Sequence, residues 1–210
     1  MDLYFSPLAC SLATRIAFYE AGYDARYVQV DNKLKRVEDG SEFFAINPLG
    51  QVPVLRTDDG TLLYENVAIL PYVADHFPAA KLAPIGGFER ARLQQWLGFI
   101  STELHKAVFV PMLDKEASDE VKRYAREHVP LRMGALQAHL ASREWLLDRF
   151  SVADIYLGVV LNWARYCDID LSQWPAVLGF FKRFSARPAA ARGFEEELGL
   201  YRAELARQNG

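Results

Sequence analysis

The sequence holds only two cysteines, Cys10 and Cys167, among 210 residues. Two thiols cannot build the disulfide framework that staples small secreted folds, so stability must come from a packed core. Histidine is scarce too. His76, His105, His128 and His139 stand apart from Cys, Asp and Glu in any ligand-like spacing, and no metal is expected. A basic excess is missing: 24 Lys and Arg face 27 Asp and Glu, a formal charge of −3, which speaks against a nucleic-acid partner. The longest stretch without a charge, Phe43 to Leu55, carries two prolines, a glycine, an asparagine and a glutamine. It cannot form a membrane helix. The Met1-Asp2 start lacks the basic and apolar regions of a secretory signal, and Ile85-Gly86-Gly87-Phe88 lacks the Lys-Ser/Thr ending of a phosphate loop. These absences leave a cytoplasmic globular protein as the expectation. Hydrophobic residues at 51% and aromatics at 13% supply core enough to exclude a disordered chain.

Two patterns divide the sequence. Up to about Asp75, strand-like runs alternate with helical ones: Asp2–Phe5, then a helix over Cys10–Ala21 with Leu12, Ile16 and Tyr19 on one face. Ala25–Val30 alternates like a strand. Lys33 to Gly40 reads as a polar loop leading into a short helix over Ser41–Ile46. Val52–Arg56 and Thr61–Tyr64 flank an Asp59-Gly60 hairpin signal, and Glu65–His76 is helical. This order implies a βαβ unit followed by a ββα unit in one small mixed sheet. From Phe88 on the pattern is helical: Phe88–Val110, Glu120–Ala141 (kinked or restarted at Pro130), Ser151–Tyr166, Gln173–Ala186 and a last helix from Ala189. Ser151 and Asp154 form a capping box ahead of the most apolar helix. The expected fold class is therefore α+β, with a sheet domain over 1–77, a linker over 78–87 and an all-helical domain over 88–210.

Few residues stand out chemically. Cys10 sits where the first loop enters the first helix, and free N–H groups there favour a thiolate. The same residue also reads as a small buried hydrophobe. A C-x-x-C partner is missing, since Ala13 occupies that position, so a mixed disulfide on Cys10 needs an outside thiol to resolve it. Val52-Pro53 opens a strand, a position suited either to a cis bond or to a plain edge proline. Glu65-Asn66 opens a helix, where a carboxylate and free amides can hold an amine and a carboxylate or merely complement the dipole. Gly98, Thr102, His105 and Phe109 line a second helix face, with Lys106 beside them; a lone helical histidine is as readily structural.

Taken together, these pieces resemble the glutathione transferases, and the bacterial beta class in particular. The resemblance runs over nearly the whole chain. It is carried by Tyr4-Phe5-Ser6-Pro7-Leu8-Ala9-Cys10-Ser11-Leu12-Ala13, by Ala45-Ile46-Asn47-Pro48-Leu49-Gly50-Gln51-Val52-Pro53 and by Glu65-Asn66. Ser101-Thr102-Glu103-Leu104-His105-Lys106 and Phe150-Ser151-Val152-Ala153-Asp154 complete it. The resemblance implies a thioredoxin-like first domain, a helical second domain and a cytoplasmic homodimer. Glutathione would be the co-substrate and a small hydrophobic electrophile the second substrate, with no metal, nucleic acid or membrane involved. Cys10 would contact the glutathione sulfur and His105 would face it; both are the expected catalytic residues. Lys35 would meet the glycyl carboxylate, Val52 beside a cis Pro53 the cysteinyl backbone, and Glu65 and Asn66 the γ-glutamyl end. Gln51, Thr102 and Lys106 would line the same site, and Phe109, Trp163 and Tyr166 the electrophile pocket. Two positions depart from the family pattern. Asn66 replaces a small Ser or Gly, and Gly98 replaces an Asn that reaches glutathione, a polar contact worth roughly 0.5–1.5 kcal/mol.

The expected chemistry is conjugation of the glutathione thiolate, held in the groove between the domains, to an electrophile in detoxification. Thiol–disulfide exchange through a Cys10 mixed disulfide is the alternative, and a non-catalytic protein binding hydrophobic ligands is a third. Leu200–Gly210 shows an amphipathic pattern with no evident role.

Overall fold

The computed structural model describes residues 1–208. Its first unit is built on a five-stranded sheet. β1 (Asp2–Phe5) lies at the centre, parallel to β2 (Arg26–Asp31) and antiparallel to β4 (Val54–Arg56). β3 (Arg36–Val37) and β5 (Leu62–Tyr64) close the two edges, giving the order β3-β2-β1-β4-β5. The crossover from β1 to β2 is α1 (Leu12–Glu20), and α2 (Asn66–His76) follows β5. The βαβ–ββα order expected from the pattern is therefore present.

Alternation assigns the two faces of the sheet. Tyr4, Val28 and Val54 stand in register and join Val30, Val37, Phe43 and Val52 in one buried cluster. Leu3 and Leu55, also in register and fully buried, belong to the opposite face. On that side Phe5 and Tyr27 flank the guanidinium of Arg15 from α1, at 4.1 Å from each ring centroid.

The polar stretch 33–40 folds more tightly than a loop. Asp31 Oδ1 accepts from the N–H groups of Lys33 and Leu34 at 2.9 and 2.8 Å, and the Lys35 N–H reaches the Asp31 carbonyl. That turn places Lys35 at φ 55° and lets β3 pair with β2. The short helix expected over Ser41–Ile46 is a single 3₁₀ turn, Phe43–Ala45.

The second unit, Leu82–Arg187, is helical. α3 (Gly87–Phe99) runs into a π-helical segment, Ile100–Phe109, and then α4 (Val110–Leu113). The expected continuous α-helix is thus interrupted. Pro111 lacks an N–H and its ring would collide with the Ala107 carbonyl in an unbroken α-helix, while the Val110 N–H bonds back five residues to His105. Pro130 has the same effect further on: α5 (Asp119–Glu127) stops and α6 (Val129–Leu140) restarts with the proline in its first turn. α7 (Val152–Leu161) is buried along its whole length and begins at the Ser151–Asp154 capping box. It tightens to a 3₁₀ segment, Asn162–Tyr166, before α8 (Pro175–Ser185).

The units meet at Lys81–Leu82, inside the expected linker 78–87, and the C-terminal end departs from the 88–210 division. α9 (Pro188–Gln208) packs on α1, so the chain from Pro188 on groups with Met1–Lys81. The packing accounts for a second difference: α1 is buried from Leu12 to Phe18 on all sides, not on one face. Gly193 sits at the contact, where a Cβ would come within 2.9 Å of Ile16 and 3.1 Å of Leu12. Of the Leu200–Gly210 pattern, Tyr201 and Leu205 are exposed on α9, and residues 209–210 lie outside the described residues.

Candidate functional site

Cys10 lies in a turn, two residues before α1 begins at Leu12. Reading the helix from Cys10 was therefore early, and the difference has a chemical consequence. The first N–H groups of α1 are already spent, with Leu12, Ala13 and Thr14 donating to the carbonyls of Ala9, Cys10 and Ser11. Those three N–H groups are committed to the turn. The half-buried Cys10 Sγ instead donates to the Val52 carbonyl at 3.3 Å, a bond that a thiolate cannot make. The Val52–Pro53 bond is cis, and both residues precede β4. The turn itself is laced by Ser6 and Ser11, whose Oγ accepts from the Ser6 N–H and donates to the Ser6 carbonyl.

Three further segments meet Cys10 and Val52. At α2, Asn66 is 3% exposed, and its Nδ2 donates to the Cys10 carbonyl at 2.9 Å. Its Oδ1 accepts from the fully buried Thr14 hydroxyl at 3.0 Å. The amide expected to reach a ligand carboxylate is engaged inside the fold. Glu65, just before it, is exposed and sits at φ 68°. On the loop before Val52, Asn47 Nδ2 donates to the Gln51 carbonyl at 2.7 Å and Asn47 Oδ1 accepts from Leu49 N–H. Lys35 reaches the same loop, its Nζ donating to Gly50 O at 2.9 Å and to Asn32 Oδ1 at 2.8 Å. Partial burial lowers the Lys35 pKa, against the pull of Asp31. Gly50 has φ 60°, and a Cβ there would stand 2.7 Å from the Phe44 ring, so no other residue fits without displacement.

The helical-unit candidates form their own cluster. His105, 7% exposed, holds Nδ1 at 2.7 Å from the Tyr156 hydroxyl of α7, and its ring lies 5.0 Å from that of Trp163. Burial, with Lys106 adding to it, pushes its pKa down to about 4, so the imidazole is neutral at pH 7. Phe109 meets Trp163 edge-on at 6.0 Å and is itself fully buried. It backs the indole and does not line an open surface. Thr102 and Lys106 are exposed, and the Thr102 hydroxyl bonds back to the Gly98 carbonyl at 3.0 Å. Tyr166, also exposed, lies under its neighbour Arg165.

The structure thus gathers Cys10, Val52, Pro53 and Asn66 around one turn, with Gln51 and Lys35 on the adjoining loop and Glu65 next to Asn66. Within the second unit it joins His105, Phe109 and Trp163. Sequence reasoning missed Tyr156, Thr14 and Asn47. Tyr156 was detectable as the lone hydroxyl in an otherwise apolar helix; Thr14 carried no signal, since its partner is 52 residues away. Among the described residues, no three His, Cys, Asp or Glu side chains gather as a metal site, and no helix is long and apolar enough to cross a membrane.

A thioredoxin-like sheet unit with a cysteine turn against a cis-proline loop, followed by a helical unit, defines a class of two-domain proteins. The particular family follows from comparison with known proteins. Residues 9–76 match the model of the glutathione S-transferase N-terminal domain, and residues 100–188 that of the C-terminal domain. The chain is 40% identical over 190 residues to the glutathione S-transferase GstA of Escherichia coli O157:H7, covering 90% of this chain and 94% of that protein. A sphingomonad glutathione S-transferase complexed with glutathione superposes with a TM-score of 0.90 at 44% identity, over 94% of this chain and 98% of the other. The bacterial beta class glutathione S-transferase of Sphingomonas chungbukensis has the same TM-score and coverage at 43% identity. The chain belongs to the glutathione S-transferase family, in its bacterial beta class.

Proposed function

We propose that this glutathione S-transferase binds glutathione along the Cys10 turn and the cis-proline loop of the sheet unit and joins the tripeptide, through its sulfur, to a small hydrophobic electrophile. The observation that carries the reading is the convergence at one turn of Cys10, Val52 and the start of α2, three segments far apart in sequence. The Val52 backbone pairs with the cysteinyl part of glutathione, Glu65 takes the γ-glutamyl amine, and Lys35 takes the glycyl carboxylate. Gln51 and Pro53 complete that side. Cys10 lies nearest the sulfur. From the helical unit, the neutral His105 serves as a hydrogen-bond partner of the sulfur, with Thr102 and Lys106 polar neighbours. Tyr166 and Trp163 contact the electrophile, with Phe109 behind the indole. In the reaction the glutathione thiol releases its proton to solvent, the thiolate sulfur forms a bond to the electrophilic carbon, and the leaving group departs with its electron pair.

The donor role of Cys10 Sγ toward Val52 O favours conjugation over exchange, because the sulfur holds its proton in that bond. The finer reading is a homodimer acting in the cytoplasm in detoxification, supported by the likeness of the whole chain to its family. Calorimetry with glutathione and a chlorodinitrobenzene assay test the central claim. Cys10→Ala should retain most conjugation and lose disulfide reduction. Absence of saturable glutathione uptake by the dimeric protein would overturn the reading, and loss of conjugation in Cys10→Ala would transfer the nucleophile's role to Cys10.

A further inference from the structure

Both ends of the Asn66 side-chain amide are bonded inside the fold. It spans from the first turn of α2 to the Cys10 turn and to α1, donating to one and accepting from the other. The Cys10 carbonyl receives a second donor, the Ala13 N–H at 3.1 Å, and the Cys10 sulfur is engaged with Val52 O at 3.3 Å. Cys10 is thus held at its carbonyl by α2 and at its sulfur by the cis-proline loop. With Asn66 3% exposed and Thr14 fully buried, water offers a poor substitute for either bond. The residue that precedes Asn66, Glu65, is held at φ 68°, so the segment facing a γ-glutamyl group and the turn carrying the cysteine are joined through one amide.

We infer that the Asn66 side chain is a positioning group that sets the Cys10 turn through the Cys10 carbonyl, and that this amide does not contact glutathione. The inference deepens the transferase reading and rests on it for the kinetic part of its test only. A smaller residue at this position cannot bridge to the Cys10 carbonyl and Thr14 together. Asn66→Asp is the sharpest variant, because it keeps the shape, keeps an acceptor for Thr14, and replaces the N–H donor with an oxygen facing the Cys10 carbonyl. The turn then withdraws from α2, and the sulfur leaves Val52.

The test uses full-length wild-type protein and Asn66→Asp, with circular dichroism confirming the fold. Alkylation of Cys10 by iodoacetamide at neutral pH, without glutathione and followed by peptide mass spectrometry, should be faster in the variant by roughly two- to tenfold, the factor one hydrogen bond supports. In steady-state conjugation kcat should fall by a similar factor while KM for glutathione stays within about twofold. A raised KM with unchanged alkylation would overturn the inference and return Asn66 to ligand contact; no change in either would overturn it as well. Should Asn66→Asp fail to fold, Thr14→Val releases the other end of the amide and should produce the same alkylation effect at lower amplitude. If the wild-type protein turns over no glutathione, the transferase reading fails, and alkylation still decides the role of Asn66.

Discussion

Both units bury polar side chains, but the sheet unit draws their partners from far along the chain and the helical unit finds one set close by. In the sheet unit, Glu197 of α9 accepts from the Leu8 N–H at 2.7 Å across 189 residues, and its Oε1 lies 3.1 Å from Arg15 Nε, an ion pair whose N–H is not aligned for a hydrogen bond. Asn66 and Thr14 meet across 52 residues. In the helical unit, Asp154 accepts from the Ser151 N–H, the Ser151 hydroxyl and the Leu146 N–H, all within eight residues. Local polar pairs fold with their helix, whereas the distant ones form only when the whole unit closes. The geometry of the cysteine turn therefore depends on the last helix of the chain, and the start of α7 does not.

The largest effect is expected where that dependence is greatest. Glu197→Ala removes the nearer of the two carboxylates beside the buried Arg15, leaving Glu196 at 3.5 Å, together with the acceptor of the Leu8 N–H, and should cost about 3–4 kcal/mol by denaturant unfolding. A loss below ~1 kcal/mol would mean that α9 is not coupled to the turn.

The helical unit should respond instead to acid. Unfolded histidine titrates near 6.5, and native His105 is held down to about 4. Between those values the unfolded chain takes a proton that the native state refuses. The contribution of His105 to stability is therefore present above pH 6.5 and lost as pH falls toward 4, by about 3 kcal/mol in full, while the raised pKa of Asp154 acts in the opposite direction. His105→Phe should flatten that limb of the pH–stability curve, and the native His105 ring resonance should not titrate above pH 5. A native titration near 6.5 would contradict the buried Tyr156 pairing.

A paired substitution compares packing in the two units. A Cβ on Gly158 of α7 would fall 2.0 Å from the Phe184 ring, a rigid neighbour, so Gly158→Ala should destabilise by about 1–3 kcal/mol. Gly193→Ala meets only aliphatic side-chain ends of Ile16 and Leu12 at 2.9 and 3.1 Å, which can rotate aside, and should cost about 1 kcal/mol or less. Equal effects, read from thermal unfolding midpoints, would remove the distinction.

Much of the fold was legible because it is periodic or locally signalled. The alternation of β2, the Asp59-Gly60 hairpin and the Ser151–Asp154 box each depend on neighbours a few residues apart. Pro130 marked one interruption, whereas the π-helical segment ahead of Pro111 was not read from the sequence, because its form depends on which carbonyl the displaced N–H groups find. The motif residues Cys10, Val52 and Glu65-Asn66 were recognisable as chemistry, but the engagement of the Asn66 amide and the closure of Phe109 behind Trp163 were not. Both are consequences of what packs opposite.

The amino-acid order alone determined the element types, the sheet-then-helix plan and the residues capable of thiol chemistry, since these follow from side-chain period, turn propensity and residue type. Only the tertiary structure decided that α9 joins the sheet unit, that Cys10 lies outside α1 with its sulfur on Val52, and that His105 is neutral. Those outcomes turn on burial and on hydrogen bonds between residues distant in sequence, and they exist only once the chain has closed on itself.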